Sequence, residues 1–303
     1  MSADRSSRPS LSSLRREAKS LLDQVRRNQP EGLALISEHH PGPEDFASDR
    51  DALLVVARKY GHTGWEELQR TFEEEAGAGG TLEERADLFA ELACLSYRGD
   101  DHVSRRERAA RMLAETPGIS GASPWAAAAA FDVEALRQLT GDADSAAAPG
   151  GPRDWPPLLY LCFSRVPEDT PRRDPVAAAE LLLAAGAAGD TSVGPEERGG
   201  WGWSALTGVL GEGEHGLLQQ PPHPRAGELA RILLDAGADP NDSQGLYNTM
   251  FTPDNQWLEL FLSRGLAADA VVYSGHEPPL RTLDYQLSQA VKRGLPGRVA
   301  LLL

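Results

Sequence analysis

One short phrase of sequence occurs three times in this chain and limits its architecture more than anything else. Leu181-Leu182-Leu183-Ala184-Ala185-Gly186-Ala187-Ala188 matches Ile232-Leu233-Leu234-Asp235-Ala236-Gly237-Ala238-Asp239, and Leu260-Phe261-Leu262-Ser263-Arg264-Gly265-Leu266 is a weaker third copy. In each copy an apolar run meets a glycine where a helix must end in a left-handed turn, which glycine adopts without steric cost. The leucines before the glycine are expected to pack on a neighbouring unit, since a chain of short repeats buries its apolar faces by stacking them.

Matching starts precede these endings. Asp154-Trp155-Pro156-Pro157-Leu158 and Gly202-Trp203-Ser204-Ala205-Leu206 present a turn residue, a Trp, a helix-initiating residue and a Leu in the same order. Between residues 81 and 303 the pattern reads as about six pairs of short helices. Thr81 to Glu84 and Ser104 to Glu107 have capping-box spacing. Asp132 is placed to cap a helix carrying Val133, Leu136 and Leu139, and further pairs begin at Trp155, Trp203, Leu246 and near Arg281. No long alternation of β-branched residues occurs, so strands are expected to be absent or confined to two-residue hairpin pairings. Upstream, Leu14, Ala18, Leu21, Leu22 and Val25 form one stripe of an amphipathic helix, a second helix follows Pro30, a third ends at Gly61, and a fourth opens with a Thr63 to Glu66 box. The organisation predicted is a disordered 1–12, a helical N-terminal unit over 13–76, a glycine-rich linker over 77–82 and repeats over 83–303. The last repeat is expected to be incomplete, because Val299 to Leu303 stops where a helix-ending glycine should follow.

These half-patterns together resemble the ankyrin repeat, whose helix start reads roughly Gly-x-Thr-Pro-Leu-His and whose end reads Leu-Leu-x-x-Gly-Ala-Asp-Pro-Asn. Residues 226–242 match best. Elsewhere the match is degraded: Tyr160 stands where the family often has His, and Gly186, Gly237 and Gly265 lie 51 and 28 residues apart against a period of about 33. An insertion of loop composition, Gly211 to Pro224, accounts for the longer gap. Ala57 to Leu68 is similar to the helical lead-in found before ankyrin repeats in some bacterial proteins. The resemblance implies an all-α, ankyrin-like helical-repeat solenoid with a small helical N-terminal cap, working by binding another protein.

Charge narrows the partner class. The chain has 45 Asp and Glu against 30 Lys and Arg, a net −15. That argues against a general nucleic-acid binder, for which phosphate contacts dominate affinity. Basic charge is local: residues 1–28 hold seven Arg or Lys against three acids. Apolar runs are at most seven residues long, far short of the roughly 20 that span a bilayer. The polar, basic first residues lack a secretory signal's apolar segment, so no membrane association and a cytoplasmic location are expected. Scarce lysine beside abundant Arg, Ala, Gly and Pro hints at a GC-rich bacterial genome. Cys94 and Cys162 are expected to be buried thiols.

No constellation of catalytic type emerges, and no catalytic residue, cofactor or metal is assigned. Gly211-Glu212-Gly213-Glu214-His215-Gly216 has the letters of a dinucleotide-binding turn, but its two glutamates would repel a pyrophosphate and no strand precedes it. The histidines are scattered beside Pro and Gly, and His39-His40 near Glu44 and Asp45 reads as a surface turn. Trp65, Trp125 and Trp257 fall on apolar helix faces and read as core. The partner surface is placed on the inter-repeat loop edge and first-helix face, with Trp155, Trp201, Trp203, Asp242, Ser243, Gln244 and Tyr247 as its residues. Aromatic anchors with polar neighbours suit an interface. Two alternatives stand beside this reading: an acidic sequestering protein of immunity or antitoxin type, and an enzyme whose site converges only in three dimensions.

Overall fold

The computed structural model describes residues 9–97, 101–168, 170–194, 202–272 and 280–303. The chain is all-α in character, 63% helix and 4% strand.

The N-terminal unit comprises α1 (Leu11–Arg26), α2 (Pro30–His39), α3 (Asp49–Lys59) and α4 (Trp65–Gly79). Leu14, Ala18, Leu21 and Leu22 of α1 are buried against Ile36 of α2, Ala52, Val55, Val56 and Ala57 of α3, and Leu68 of α4. Helix starts follow local chemistry. The Ser10 hydroxyl accepts from Ser13 N at 3.1 Å, Pro30 opens α2, and Ser48 and Asp51 form a reciprocal capping box. Three boundary expectations need correction. Leu11 and Ser12 belong to α1 rather than to a disordered tail, since the Ser10 cap nucleates the helix before them. Thr63 is paired not with Glu66 but with Glu67, whose Oε2 accepts from both Thr63 N and Oγ1 at 2.7 Å. The stretch at 77–80 is helical to Gly79, because glycine costs a helix only about 1 kcal/mol and α4 packs on the following helix.

Beyond this unit the helices come in pairs. α5 (Leu82–Ala93) pairs with α6 (Val103–Glu115), and α7 (Pro124–Ala129) with α8 (Val133–Leu139). After the short α9 (Ala143–Ala147), α10 (Pro157–Phe163) pairs with α11 (Pro175–Ala184). α12 (Ala205–Leu210) pairs with α14 (Ala226–Asp235) across an insertion containing the single turn α13 (Gly216–Gln219). α15 (Ser243–Thr249) pairs with α16 (Gln256–Ser263), and α17 (Thr282–Arg293) with α18 (Pro296–Leu302). The first helices pack in sequence, α5 on α7, α7 on α10, α10 on α12, α12 on α15 and α15 on α17. Of the second helices, α8 packs on α11 and α11 on α14. Two antiparallel hairpin pairings precede first helices: β1 (Ser192–Val193) with β2 (Trp203–Ser204), and β3 (Val271–Val272) with β4 (Leu280–Arg281). Each strand is two residues long, as the lack of β-branched alternation implies.

The repeated endings are one hydrogen-bond motif. Ala187 N donates to Leu182 O (3.0 Å) and Gly186 N to Leu183 O (3.0 Å); Ala238 N to Leu233 O (2.9 Å) and Gly237 N to Leu234 O (3.2 Å); Leu266 N to Phe261 O (2.9 Å) and Gly265 N to Leu262 O (3.3 Å). Such pairs satisfy the last carbonyls of a helix when the terminating residue is left-handed. Gly186, Gly237 and Gly265 accordingly have φ of 111°, 97° and 95°. α17 closes identically at Gly294.

Starts match too. The Thr81–Glu84 box forms, and Ser123, Asp132, Asp174, Ser204 and Asp242 each cap the helix that follows. Ser104 does not. α6 begins at Val103, and the neighbouring Asp101 carboxylate turns back to Ser96 N (2.6 Å) and Tyr97 N (2.8 Å).

Buried arginines tie the turns together. Arg153 donates to Glu91 O (3.0 Å), Cys94 O (3.1 Å) and Leu95 O (2.7 Å) at the end of α5. Arg165 serves Cys162 O, Ser164 O and Gly208 O at the ends of α10 and α12. Arg298 serves Thr249 O and Asn255 Oδ1 beyond α15. A guanidinium's five donors suit it to several orphan carbonyls at once, and its charge complements the negative end of the helix dipole. Glu91, 3% exposed, gathers Arg153 (3.0 Å), Arg15 (3.3 Å) and Arg105 (3.5 Å), so α1 is clasped to α5 through one carboxylate.

Candidate functional site

The stacked first helices bring their N-terminal ends onto one edge, and the turn residues that cap them come along. Trp155, Trp203 and Asp242 stand immediately before α10, α12 and α15, three helices in direct succession. Asp242 accepts from Gly245 N at 2.9 Å to start α15, and its other oxygen takes the Ser204 hydroxyl of the preceding unit. Thr207 Oγ1 lies 3.4 Å away. Burial raises the Asp242 pKa, and these hydrogen bonds pull against that shift. Asp242 is thus a cross-link between neighbouring turns. Gln244, in the first turn of α15, donates to Asn248 Oδ1 at 2.9 Å. Ser243 opens α15, and Trp201 lies outside the described residues.

Trp155 and Trp203 are packed further into the protein than a loop-tip anchor would be. Trp203 meets Tyr97 edge-to-face at 4.8 Å and stacks on Phe163 at 6.1 Å. Trp155 lies 4.9 Å from Phe163, with Arg153 4.7 Å over its ring. Both are half-buried members of one aromatic cluster, and aromatic pairs of this geometry hold by area and by ring quadrupole. Tyr97 completes it by donating to Thr207 O at 3.1 Å. Tyr247 sits at the far end of the same face; its hydroxyl donates to Glu214 and its ring meets Phe251 at 5.3 Å.

The first-helix face is not an open groove where α10 and α12 run. Every residue of both helices is buried. Two segments of the chain itself pack on them, and a third packs on the first of these. Residues 94–97 bridge to Ser164 and place Tyr97 on Thr207 and Trp203. Residues 150–155 bring the Gly150 carbonyl onto the Tyr160 hydroxyl, at 2.8 Å. The insertion after α12 lays Gly213 against Tyr97 and Asn248, where an added Cβ would stand 3.6 Å from each. What remains reachable on this side is the turn edge and the outer surface of the insertion, where Leu217 and Leu218 are 51% and 77% exposed.

Sequence reasoning missed Tyr97, Asp101, Arg106 and Arg165, which hold this arrangement. Each acts on residues more than forty positions away, a relation that neither spacing nor composition encodes. The insertion's glycines were the one available signal.

Other features carry less. Cys94 and Cys162 are buried, and burial pushes the Cys94 thiol up to about 12. Trp257 is buried at 3% exposure, and Trp125 donates to Ala148 O at 3.2 Å. His223, read as a turn residue, is buried against Phe131 at 5.1 Å, and desolvation holds it well below the usual imidazole range. Two concavities stand out. One is an open dish of about 360 Å³ in which Arg225 pairs with Glu168 at 3.2 Å. The other is a groove of about 290 Å³ in the N-terminal unit, floored by Leu21, Leu35, Val55 and Val56. Among the described residues no group of three or more His, Cys, Asp or Glu is placed to hold a metal ion, and no helix is long and apolar enough to cross a membrane.

No family model, curated protein or solved structure matches the chain significantly.

Proposed function

We propose that this chain is a non-enzymatic binding scaffold, an ankyrin-like solenoid of six helix pairs, and that it holds another protein along its turn edge. The observation that carries the reading is the alignment of Trp203, Asp242 and Gln244 at the N-terminal ends of successive first helices, with Tyr247 and the exposed Leu217 and Leu218 beside them. An apolar anchor flanked by half-buried polar groups is the composition of an interface core and its rim. The motif shared by four helix ends supports the repeat character, since each unit then offers the next an equivalent surface.

The test is affinity capture from the native host, followed by quantitative binding of the retained protein to wild type and to Gln244→Arg and Leu218→Asp. Both side chains reach solvent and neither belongs to the core. Each variant should lose on the order of tenfold in affinity with an unchanged melting temperature. Binding equal to wild type for both places the partner elsewhere. Trp203→Ala is a poor reporter, because its ring is built into the aromatic cluster. The net charge of −15 favours a second reading, sequestration of a basic target. A steep fall of affinity with added salt distinguishes it.

A further inference from the structure

The insertion between α12 and α14 is fastened chiefly by polar contacts. Residues 211–222 are held by polar clips from four separate places. Arg106 donates to Leu218 O (3.0 Å) and Gln219 O (2.7 Å), and Arg165 Nε donates to Pro221 O (2.7 Å). Gln220 Nε2 donates to Asp101 Oδ2 (3.0 Å), Asn248 Nδ2 to Gly211 O (3.3 Å), and the Tyr247 hydroxyl to Glu214. The segment's two leucines meanwhile face solvent. Hydrogen bonds exchange readily with water, whereas buried leucines do not, so a segment held by clips opens at lower free energy than a helix held by its core.

Two further observations lower the cost of opening. The closed form strains the backbone: Glu212, a residue with a Cβ, sits at φ 60°, between Gly211 at 62° and Gly213 at 107°. It also leaves the buried Gln219 Oε1, Gln220 Oε1 and His223 Nε2 without a hydrogen-bond partner among the described residues. Glycine at 211 and the Pro221-Pro222 pair bound the segment, and beneath it lie Tyr97 and Asn248 of the partner-binding side.

We infer that residues 211–222 form a strap that opens as a unit while the helix pairs stay folded, baring Tyr97 and Asn248. The functional meaning of the strap rests on the binding reading above; its opening does not.

Native-state hydrogen–deuterium exchange on the full chain, without any partner, tests it. The amides of Glu212 and Gln220, which bond within the strap, report opening, and the helical amides of α14 report the scaffold. Strap amides should exchange on the order of a hundredfold or more faster than those of α14, with little dependence on denaturant. Gln220→Ala, which removes the clip to Asp101, should speed strap exchange about tenfold and leave α14 unchanged. Tyr247→Phe, which deletes only the hydroxyl that reaches Glu214, should do the same should Gln220→Ala loosen the whole protein. Exchange of the strap at the rate of α14, with the same steep denaturant dependence, overturns the inference. So does equal acceleration of strap and α14 by Tyr247→Phe. Failure of the edge variants to affect binding, with rapid strap exchange intact, counts against the binding surface alone.

Discussion

Glu91→Gln is the perturbation whose consequence the structure defines most sharply. The side chain is nearly isosteric, so packing is kept while the negative charge among Arg15, Arg105 and Arg153 disappears. Removing one partner of a buried ion pair costs roughly 3–5 kcal/mol, because the remaining charge is left desolvated. Here the loss is tempered. Arg153 keeps three carbonyl acceptors, and the Arg15 and Arg105 side chains, 11% and 14% exposed, can turn toward water. The expected cost is therefore near the lower limit, about 3 kcal/mol. At roughly 2.1 cal/mol/K of unfolding entropy per residue, the melting temperature should fall by about 5 °C. Urea unfolding followed by circular dichroism gives the free energy. The same carboxylate sets an acid limit. Its pKa lies well below the ordinary value through the three arginines, against the desolvation that would raise it. A depressed folded pKa means stability that is present above the unfolded pKa near 4.5 and is lost as pH falls through the folded one. A cost of Glu91→Gln below about 1 kcal/mol at pH 7 refutes the view that this clasp is an important tie between the two cores.

Two other outcomes follow from equally local features. Asp87 is desolvated and lies near Glu91 and Glu84, which raises its carboxyl to about 6. Its contribution is complete below the unfolded pKa near 3.8 and is lost as pH rises toward 6, so Asp87→Asn should raise the melting temperature at pH 7, with the gain vanishing below pH 4. Gly186 and Gly237 end their helices alike at positive φ, but a Cβ at 186 would stand 2.8 Å from Ala143 Cβ whereas none at 237 meets an atom within 4 Å. Gly237→Ala should cost about 1 kcal/mol from backbone strain alone, and Gly186→Ala distinctly more, by chemical denaturation. Equal costs would mean that α9 yields freely.

Much of the architecture is local in origin, and residues near in sequence decide it. The amphipathic stripe of α1, the caps at Asp132 and Thr81 and the glycine-terminated endings all depend on residues within a few positions of one another. Such features form whatever the rest of the chain does, so spacing and residue type suffice to infer them. The candidate edge was partly accessible for the same reason, since Trp155, Trp203 and Asp242 recur at equivalent helix starts. Only tertiary structure decided how far those residues are exposed. Trp203 is half-buried because Tyr97 arrives from another helix pair, and the insertion stays in place because Arg165 and Arg106 pin its backbone. These contacts join residues from 56 to 113 positions apart, and each depends on where a side chain ends in space once the helices have stacked. Hydrophobic periodicity states which face of a helix is apolar; it carries no information about what will cover that face.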